Sequence, residues 1–305
     1  LSGPEATVTT AELEASSVQC QQCGAQLALR RFDKAVACPY CQSTNVVRRL
    51  PRPGIPTPAF VLGFARPKAE VRALVARWGR TSPWYAPRGF KHLEVELLKP
   101  VYLPAYLVTG EVDCRWSARA GYTYQEKQGK RTVTKTEWHD VGATTLLRLL
   151  PVLISASYQV KNDELQAIEP YDFGRVARYS EAALSGWPAE EAARTPEGVT
   201  PEVQQEVGAQ LTQRIAALVP GERKSAPSIH WTMRDTHVDL VLVPVWTMLV
   251  RFSPTRPRVR VLVNGQTGKV HGKVPVSAVK VTLAILAALA ALALLVLFFK
   301  HGGRR

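Results

Sequence analysis

Between Lys280 and Lys300 the chain reads VTLAILAALAALALLVLFF, nineteen residues without a charge or a proline and with Thr282 as the one hydroxyl. Few structures accommodate such a run. In hydrocarbon every backbone N–H and C=O must find its partner within the segment, which a helix provides. At ~1.5 Å per residue the run makes a helix ~28 Å long, close to the ~30 Å hydrocarbon core of a bilayer. A buried core helix usually keeps a polar stripe, and residues 281–299 have none. A single transmembrane helix is expected there. Only KHGGRR (300–305) follows, so the chain reads as tail-anchored with a short basic tail. Lys269, Lys273 and Lys280 on one side balance Lys300, Arg304 and Arg305 on the other, so positive charge does not fix the orientation. Alanines at 284 and 288, and at 287 and 291, have the small-xxx-small spacing that lets helices pack closely, which would make a homo-oligomer.

The other end carries a different constraint. Four of the five cysteines form two Cys-x-x-Cys pairs, CQQC (20–23) and CPYC (38–41), with fourteen residues between them. That spacing lets two knuckles converge on one tetrahedral four-cysteine site. Gly24 directly after the first pair suits a tight turn. A module of under thirty residues buries too little apolar surface to fold unaided, so a metal would supply its folding free energy. The ligands expected are Cys20, Cys23, Cys38 and Cys41, with Zn2+ as the ion and iron in a thiolate cage as the alternative. A dithiol redox centre at CPYC is the competing reading, but no βαβ pattern surrounds it. Paired cysteines of this kind suit a reducing compartment, which places the bulk of the chain in the cytoplasm beneath the cell inner membrane. Residues 1–19 lack a basic n-region and an apolar h-region, so no secretion signal is expected and this segment reads as flexible. Cys114 reads as a small buried hydrophobe.

The zinc ribbon (20–47) is followed by a Pro-rich linker (48–58, containing PRPGIPTP) and then by a body of ordinary globular composition, residues 59–277. Residues 67–78 have a proline start and Val71, Leu74, Val75 and Trp78 at helical spacing. VYLPAYLVTGEVDCRW (101–116) and YTYQEKQGKRTVTKTEW (122–138) are aromatic and β-branched, with a turn at Gln128, Gly129 and Lys130, and predict an antiparallel hairpin. TTLLRLLPVLIS (144–155) is interrupted by Arg148 and Pro151, so it reads as a core segment and not a second span. Helices are predicted over 175–186 and 201–219, the second with Val203, Val207, Leu211, Ile215 and Leu218 on one face. VDLVLVPVWTMLVRF (238–252) and a strand pair flanking an Asn264-Gly265 turn complete an α+β body with antiparallel strands.

No catalytic constellation is present. GERKS (221–225) and GQTGK (265–269) lack the spacing of a phosphate loop, and H-E-x-x-H, G-x-S-x-G and the dinucleotide-binding glycine pattern are missing. The six histidines are scattered, and the chain is expected not to be an enzyme. The excess of 39 Lys and Arg over 25 Asp and Glu, a net +14, favours polyanionic contacts. Arg30, Arg31 and Lys34 lie in the cysteine module, beside Arg48 and Arg49 and the aromatics Phe32 and Tyr40. Arg251, Arg256, Arg258 and Arg260 come shortly before the span. Lipid headgroups and nucleic acid both fit this charge; a plain solvated surface fits it too.

Together these stretches resemble a family of bacterial membrane-anchored proteins with an N-terminal zinc ribbon similar to that of transcription factor IIB, often labelled by analogy with the primosomal replication helicase. The resemblance rests on CQQCG, CPYC, VYLPAYLVTGEVDCRW, LVPVWTMLVRF and VRVLVNGQTGKVHGKVPVSAVK, and extends from Cys20 to Phe299. Tyr106 stands where members often have Trp. The missing phosphate loop speaks against the helicase label. The resemblance implies an adaptor that works beside flotillin-like (SPFH) and phage-shock-type membrane-stress proteins, giving soluble protein partners an address on the membrane. The alternative function is a membrane-tethered, zinc-ribbon nucleic-acid binder.

Overall fold

The computed structural model describes residues 17–28, 38–41, 43, 46–49, 53–129, 131–184 and 187–302. Most of the N-terminal segment expected to be flexible, residues 1–16, and the last three residues of the basic tail lie outside them. The strands are β1 (Ser17–Cys20), β2 (Gln26–Ala28), β3 (Val46–Arg49), β4 (Phe60–Leu62), β5 (Glu94–Gln128), β6 (Arg131–Arg148), β7 (Val152–Ser155), β8 (Val176–Arg178), β9 (Ala189–Glu190), β10 (Arg223–Lys224), β11 (Ser228–Arg251), β12 (Val259–Asn264) and β13 (Val270–Gly272). The helices are α1 (Lys68–Arg80), α2 (Asn162–Ile168), α3 (Thr200–Leu218) and α4 (Ala278–Gly302). The protein is therefore mixed α+β, and its strand pairs are mostly antiparallel. The chain forms two compact units. One comprises Leu1–Gly63, Tyr102–Gln166 and Phe173–Val243, and the other Phe64–Val101, Ala167–Asp172 and Pro244–Arg305.

In the first unit the predicted hairpin forms, with β5 and β6 antiparallel from Glu111 opposite Arg148 to Gln128 opposite Arg131. Gly129 turns the corner at φ +62°, which a side chain would resist. Along β5, Val112, Cys114, Trp116, Ala118 and Ala120 are buried while Arg115, Ser117 and Arg119 face out, the period-two pattern of a sheet covered on one side. Helix α3 begins with Pro201 in its first turn and lays Val203, Val207, Leu211 and Ile215 on that core, four residues apart. Leu218, expected on the same face, is exposed at the helix end. Of the run 144–155 expected to be core, Val152–Ser155 form a fully buried strand against β5 and Leu149 is buried, whereas Leu146, near the end of the outward-facing strand β6, and Leu150 are exposed. Cys114 is buried in this cluster.

The helix predicted over 175–186 does not form. Val176–Arg178 is instead a strand paired with β4, flanked by short 3-10 turns at Phe173–Arg175 and Glu181–Leu184. The backbone N–H of Tyr179 bonds to Ala59 O at 2.9 Å, so pairing with the chain entering the body outweighs local helix propensity. Within the Pro-rich stretch, residues 53–59 form neither helix nor strand, and Ile55 packs against the core.

In the second unit α1 buries Val71 and Val75. The Trp78 ring meets Phe90 edge-on at 5.3 Å, and Phe90 meets Phe252 at 5.6 Å. The end of β11, β12 and β13 form a meander, with Val245 opposite Asn264 and Val263 opposite Val270. Asn264 is wholly buried. Its amide nitrogen donates to Ile168 O (2.9 Å) and Pro170 O (3.0 Å), and its oxygen accepts from the N–H groups of Gln266 and Thr267. The Asn264-Gly265 corner is thus a longer loop built round a buried side chain, closed by Asn264 N–H to Lys269 O, and not a two-residue turn. Helix α4 leaves this unit, and its stretch Ala278–Val296 has a mean hydropathy of 2.6 with none of it buried. It is the one helix among the described residues long and apolar enough to cross a membrane.

Candidate metal centre

Strand β1 delivers Cys20 to a tight turn in which Cys20 N–H bonds to Ala25 O (2.8 Å) and Gly24 N–H returns to Cys20 O (2.9 Å). Gly24 closes the turn at φ +74°, and a Cβ there would meet the Tyr158 ring at 3.2 Å, so both backbone and space call for glycine. The second knuckle holds Cys38 N–H on Ser43 O at 3.0 Å. These turns bring Cys20 Sγ within 3.5 Å of Cys41 Sγ and Cys23 Sγ within 3.5 Å of Cys38 Sγ. All four sulfurs lie within 4.8 Å of one another. A tetrahedral ion with ~2.3 Å bonds to sulfur has S···S edges of about 3.8 Å, so the cluster has the dimensions of a metal site.

The electrostatics agree with that chemistry. Burial alone would push the Cys20 thiol up, but backbone N–H groups of Cys23 and Gln22 outweigh it and bring Cys20 down to about 7. Burial raises Cys38 to about 11 and lifts Cys23 well above the usual thiol range. Cys23 and Cys38, raised chiefly by burial, hold protons that a divalent metal would displace.

The cluster is fixed to the body beside it. Strand β2 pairs antiparallel with β9, Leu27 opposite Glu190 and Ala28 opposite Ala189, and Glu191 N–H bonds to Gln26 O at 3.1 Å. Gln159 Nε2 donates to Cys23 O at 2.7 Å. Between the second knuckle and the body lies Glu190, 2% exposed. Its Oε2 accepts from the Tyr40 hydroxyl. Its Oε1 accepts from Ser157 Oγ (2.7 Å) and the N–H groups of Tyr158 (2.8 Å) and Gln159 (3.3 Å). Burial raises the Glu190 carboxyl against the pull of these donors. Sequence reasoning missed Glu190 and Ser157, because a Glu inside PAEEAAR has no spacing that separates it from a solvated acid. Tyr40, 6% exposed, faces this carboxylate.

The basic residues fall into two groups. Arg30, Arg31 and Lys34 lie outside the described residues, as does Phe32. Arg251 and Arg258 both pair with Glu96, the latter at 2.5 Å, while Arg256 is exposed and Arg260 partly buried. Burial alone would raise the Glu96 carboxyl, but the two guanidiniums override it and hold it below its ordinary range.

The fold and the thiol cluster define a mixed α+β protein with a candidate four-cysteine metal centre and an apolar C-terminal helix. It is similar to the uncharacterized protein YdjG of Bacillus subtilis (strain 168), with 26% identity over 226 residues, which is 73% of this chain and 65% of that protein. The chain thus spans slightly under two thirds of that relative's length. No family model matches the chain. No solved structure matches it.

Proposed function

We propose that Cys20, Cys23, Cys38 and Cys41 hold Zn2+ in a ribbon, and that the protein is an adaptor, not an enzyme. Helix α4 stations it in the cell inner membrane, with the ribbon and body on the cytoplasmic side recruiting protein partners. The observation that carries this reading is the way the thiol cluster is fastened. The β2–β9 pair and the Glu190 bonds hold it in one pose on the body, which a docking surface needs and a purely local clip does not. Bound zinc would make the turns of both knuckles rigid, and the partner would read a surface whose shape depends on the metal. The resemblance to zinc-ribbon membrane proteins suggests flotillin-like or phage-shock-type proteins as the class of partner, in a membrane-stress response.

The test is recovery of partners on the full chain extracted in detergent, compared with a Cys38→Ser, Cys41→Ser double variant. Metal analysis should find one zinc per chain in the parent and none in the variant, and the proteins recovered with the parent should be lost. Equal recovery by both forms would end the docking role of the ribbon. Retention of nucleic acid that weakens steeply with salt would favour the tethered nucleic-acid binder instead.

A further inference from the structure

Where helix α4 begins, the Ser82–Pro87 loop folds back against it. Ser277 N–H bonds to Tyr85 O at 2.8 Å, and Lys280 Nζ donates to Trp84 O (2.9 Å) and Ala86 O (2.6 Å). Beside these bonds lies an open groove of about 480 Å³. Trp84, Tyr85 and Val276 form one wall and Val281, Ala284, Ile285 and Ala288 the other. Its volume is within the ~300–1,000 Å³ of sites that take small organic molecules. The lining is almost wholly apolar, yet Trp84 remains 64% exposed and Ile285 55% exposed.

Position along the helix says what must fill it. From Val281 to Ala288 is seven residues, ~10 Å of axial rise, against ~15 Å of hydrocarbon in one leaflet. With α4 across a bilayer the groove therefore opens into acyl chains, not water. Alanine at 284 and 288 leaves a notch one turn long, and the indole and phenol of Trp84 and Tyr85 stand over it at the depth where such rings favour the membrane interface. Lys280 has three protons and gives two of them to loop carbonyls, so a third remains for a phosphate beside Val281. The same notch could seat a second helix through its small residues, but Trp84 and Tyr85 already line that face, and a helix would have to displace the loop.

We propose that this groove binds the acyl chain of a phospholipid of the surrounding leaflet, so that the Trp84-Tyr85 loop is a second membrane contact that sets the depth of the body. The inference rests on the membrane-anchor reading, and its test separates the two. The full chain is reconstituted into phosphatidylethanolamine and phosphatidylglycerol vesicles containing a phosphatidylcholine with a diazirine on its acyl chain. After flotation and illumination, the crosslinked residues are mapped by mass spectrometry.

The expected adducts fall on Trp84, Tyr85 and Val276 as well as on the outer helix face at Leu283 and Leu286, which lie about 150° round the helix from the mean direction of the groove residues Val281, Ala284, Ile285 and Ala288. Filling the notch with Ala284→Phe should lower the loop adducts severalfold and leave those at Leu283 and Leu286 unchanged. Trp84→Ala, which opens the groove without touching the helix, should lower loop labelling without loss of flotation. Protein that floats and is labelled on Leu283 and Leu286 but not on the loop overturns the groove and keeps the anchor. Protein that does not float overturns both. Disulfide trapping of an Ala288→Cys variant as a dimer, with loop labelling absent, would assign the notch to a second copy and overturn the lipid site.

Discussion

Glu190 offers the sharpest test of how the thiol cluster is attached. Replacement by alanine removes the acceptor of the Tyr40 and Ser157 hydroxyls and of the Tyr158 N–H, while Gln159 N–H retains Ser157 Oγ at 2.9 Å. Three donors lose their partner at a site that is 2% exposed. A buried unsatisfied donor costs about 1–3 kcal/mol, and removing a carboxylate from a desolvated site returns part of that, so a net loss of about 2–5 kcal/mol is expected for Glu190→Ala. Glu190→Gln keeps the oxygen facing Ser157 and Tyr158, and its amide can donate to the Tyr40 hydroxyl, so its loss should stay near about 1 kcal/mol. Hydrogen exchange reads the difference where it acts. If opening of the contact governs exchange, the amides of Cys20, Gly24 and the β1–β2 pair should exchange at least about thirtyfold faster in Glu190→Ala, while α3 amides stay unchanged. Exchange in β1 and β2 equal to the parent, or a Gln variant as damaged as the Ala variant, would refute the reasoning.

Gly24→Ala should weaken metal retention against a colorimetric chelator, since it strains a φ of +74° and presses on the Tyr158 ring. Metal affinity should fall as the solution is acidified between about pH 8 and 6, because binding must displace protons from thiols that burial holds as high as about 11 at Cys38; competition titrations across that range check it. Leu211→Ala, wholly buried on α3, should cost about 2–5 kcal/mol in denaturant unfolding without changing metal stoichiometry. The Glu96 carboxyl is held low in the fold, so its pairing with Arg251 and Arg258 contributes stability that is complete above the ordinary carboxyl value of 4.5 and is lost as pH falls through the depressed folded value. Glu96→Gln should remove that acid-side component from the pH dependence of unfolding.

Features carried by local periodicity were legible in the sequence. The four-residue stripe Val203, Val207, Leu211, Ile215 and the alternation through Cys114 and Trp116 each state which face is buried, and both faces are. The turn at Gly129 and the convergence of the two cysteine pairs were equally local in origin. Part of what escaped depended on distant pairing. Strand β5 runs 35 residues from Glu94, so it starts before the stretch 101–116 that the sequence marks, where Pro100 reads locally as a break. The N-terminal half of β11 escaped although it carries a local signal: Ile229, Trp231 and Met233, partly buried against the core, alternate with His230, Thr232 and Arg234, the period of a strand covered on one face. Residues 175–186 have a helical apolar pattern, yet Val176–Arg178 form a strand, since β4 supplies a hydrogen-bonding edge that the segment's own sequence cannot announce.

The inward pose of Tyr40 bears on which function the ribbon can serve. A single-stranded nucleic acid held on a small β module needs aromatic faces on which bases stack, each worth ~1–3 kcal/mol. In the sequence Phe32 and Tyr40 were the aromatics near the basic cluster, and Tyr40 is 6% exposed with its hydroxyl on a buried carboxylate. To stack on a base it would have to leave Glu190 and abandon an acceptor it shares with Ser157 and Tyr158. The energy lost would be of the same order as the stacking gained. What remains outward at the first knuckle is Gln21 and Gln22, exposed and uncharged, beside the partly buried Cys23. Among the described residues of that knuckle, this pair offers amide hydrogen bonds of the kind a protein surface can take up. Exchanging Gln21 and Gln22 for Glu should therefore weaken recovery of a protein partner while leaving metal content and flotation as in the parent, and a variant that still recovers every partner would move the docking face elsewhere on the molecule.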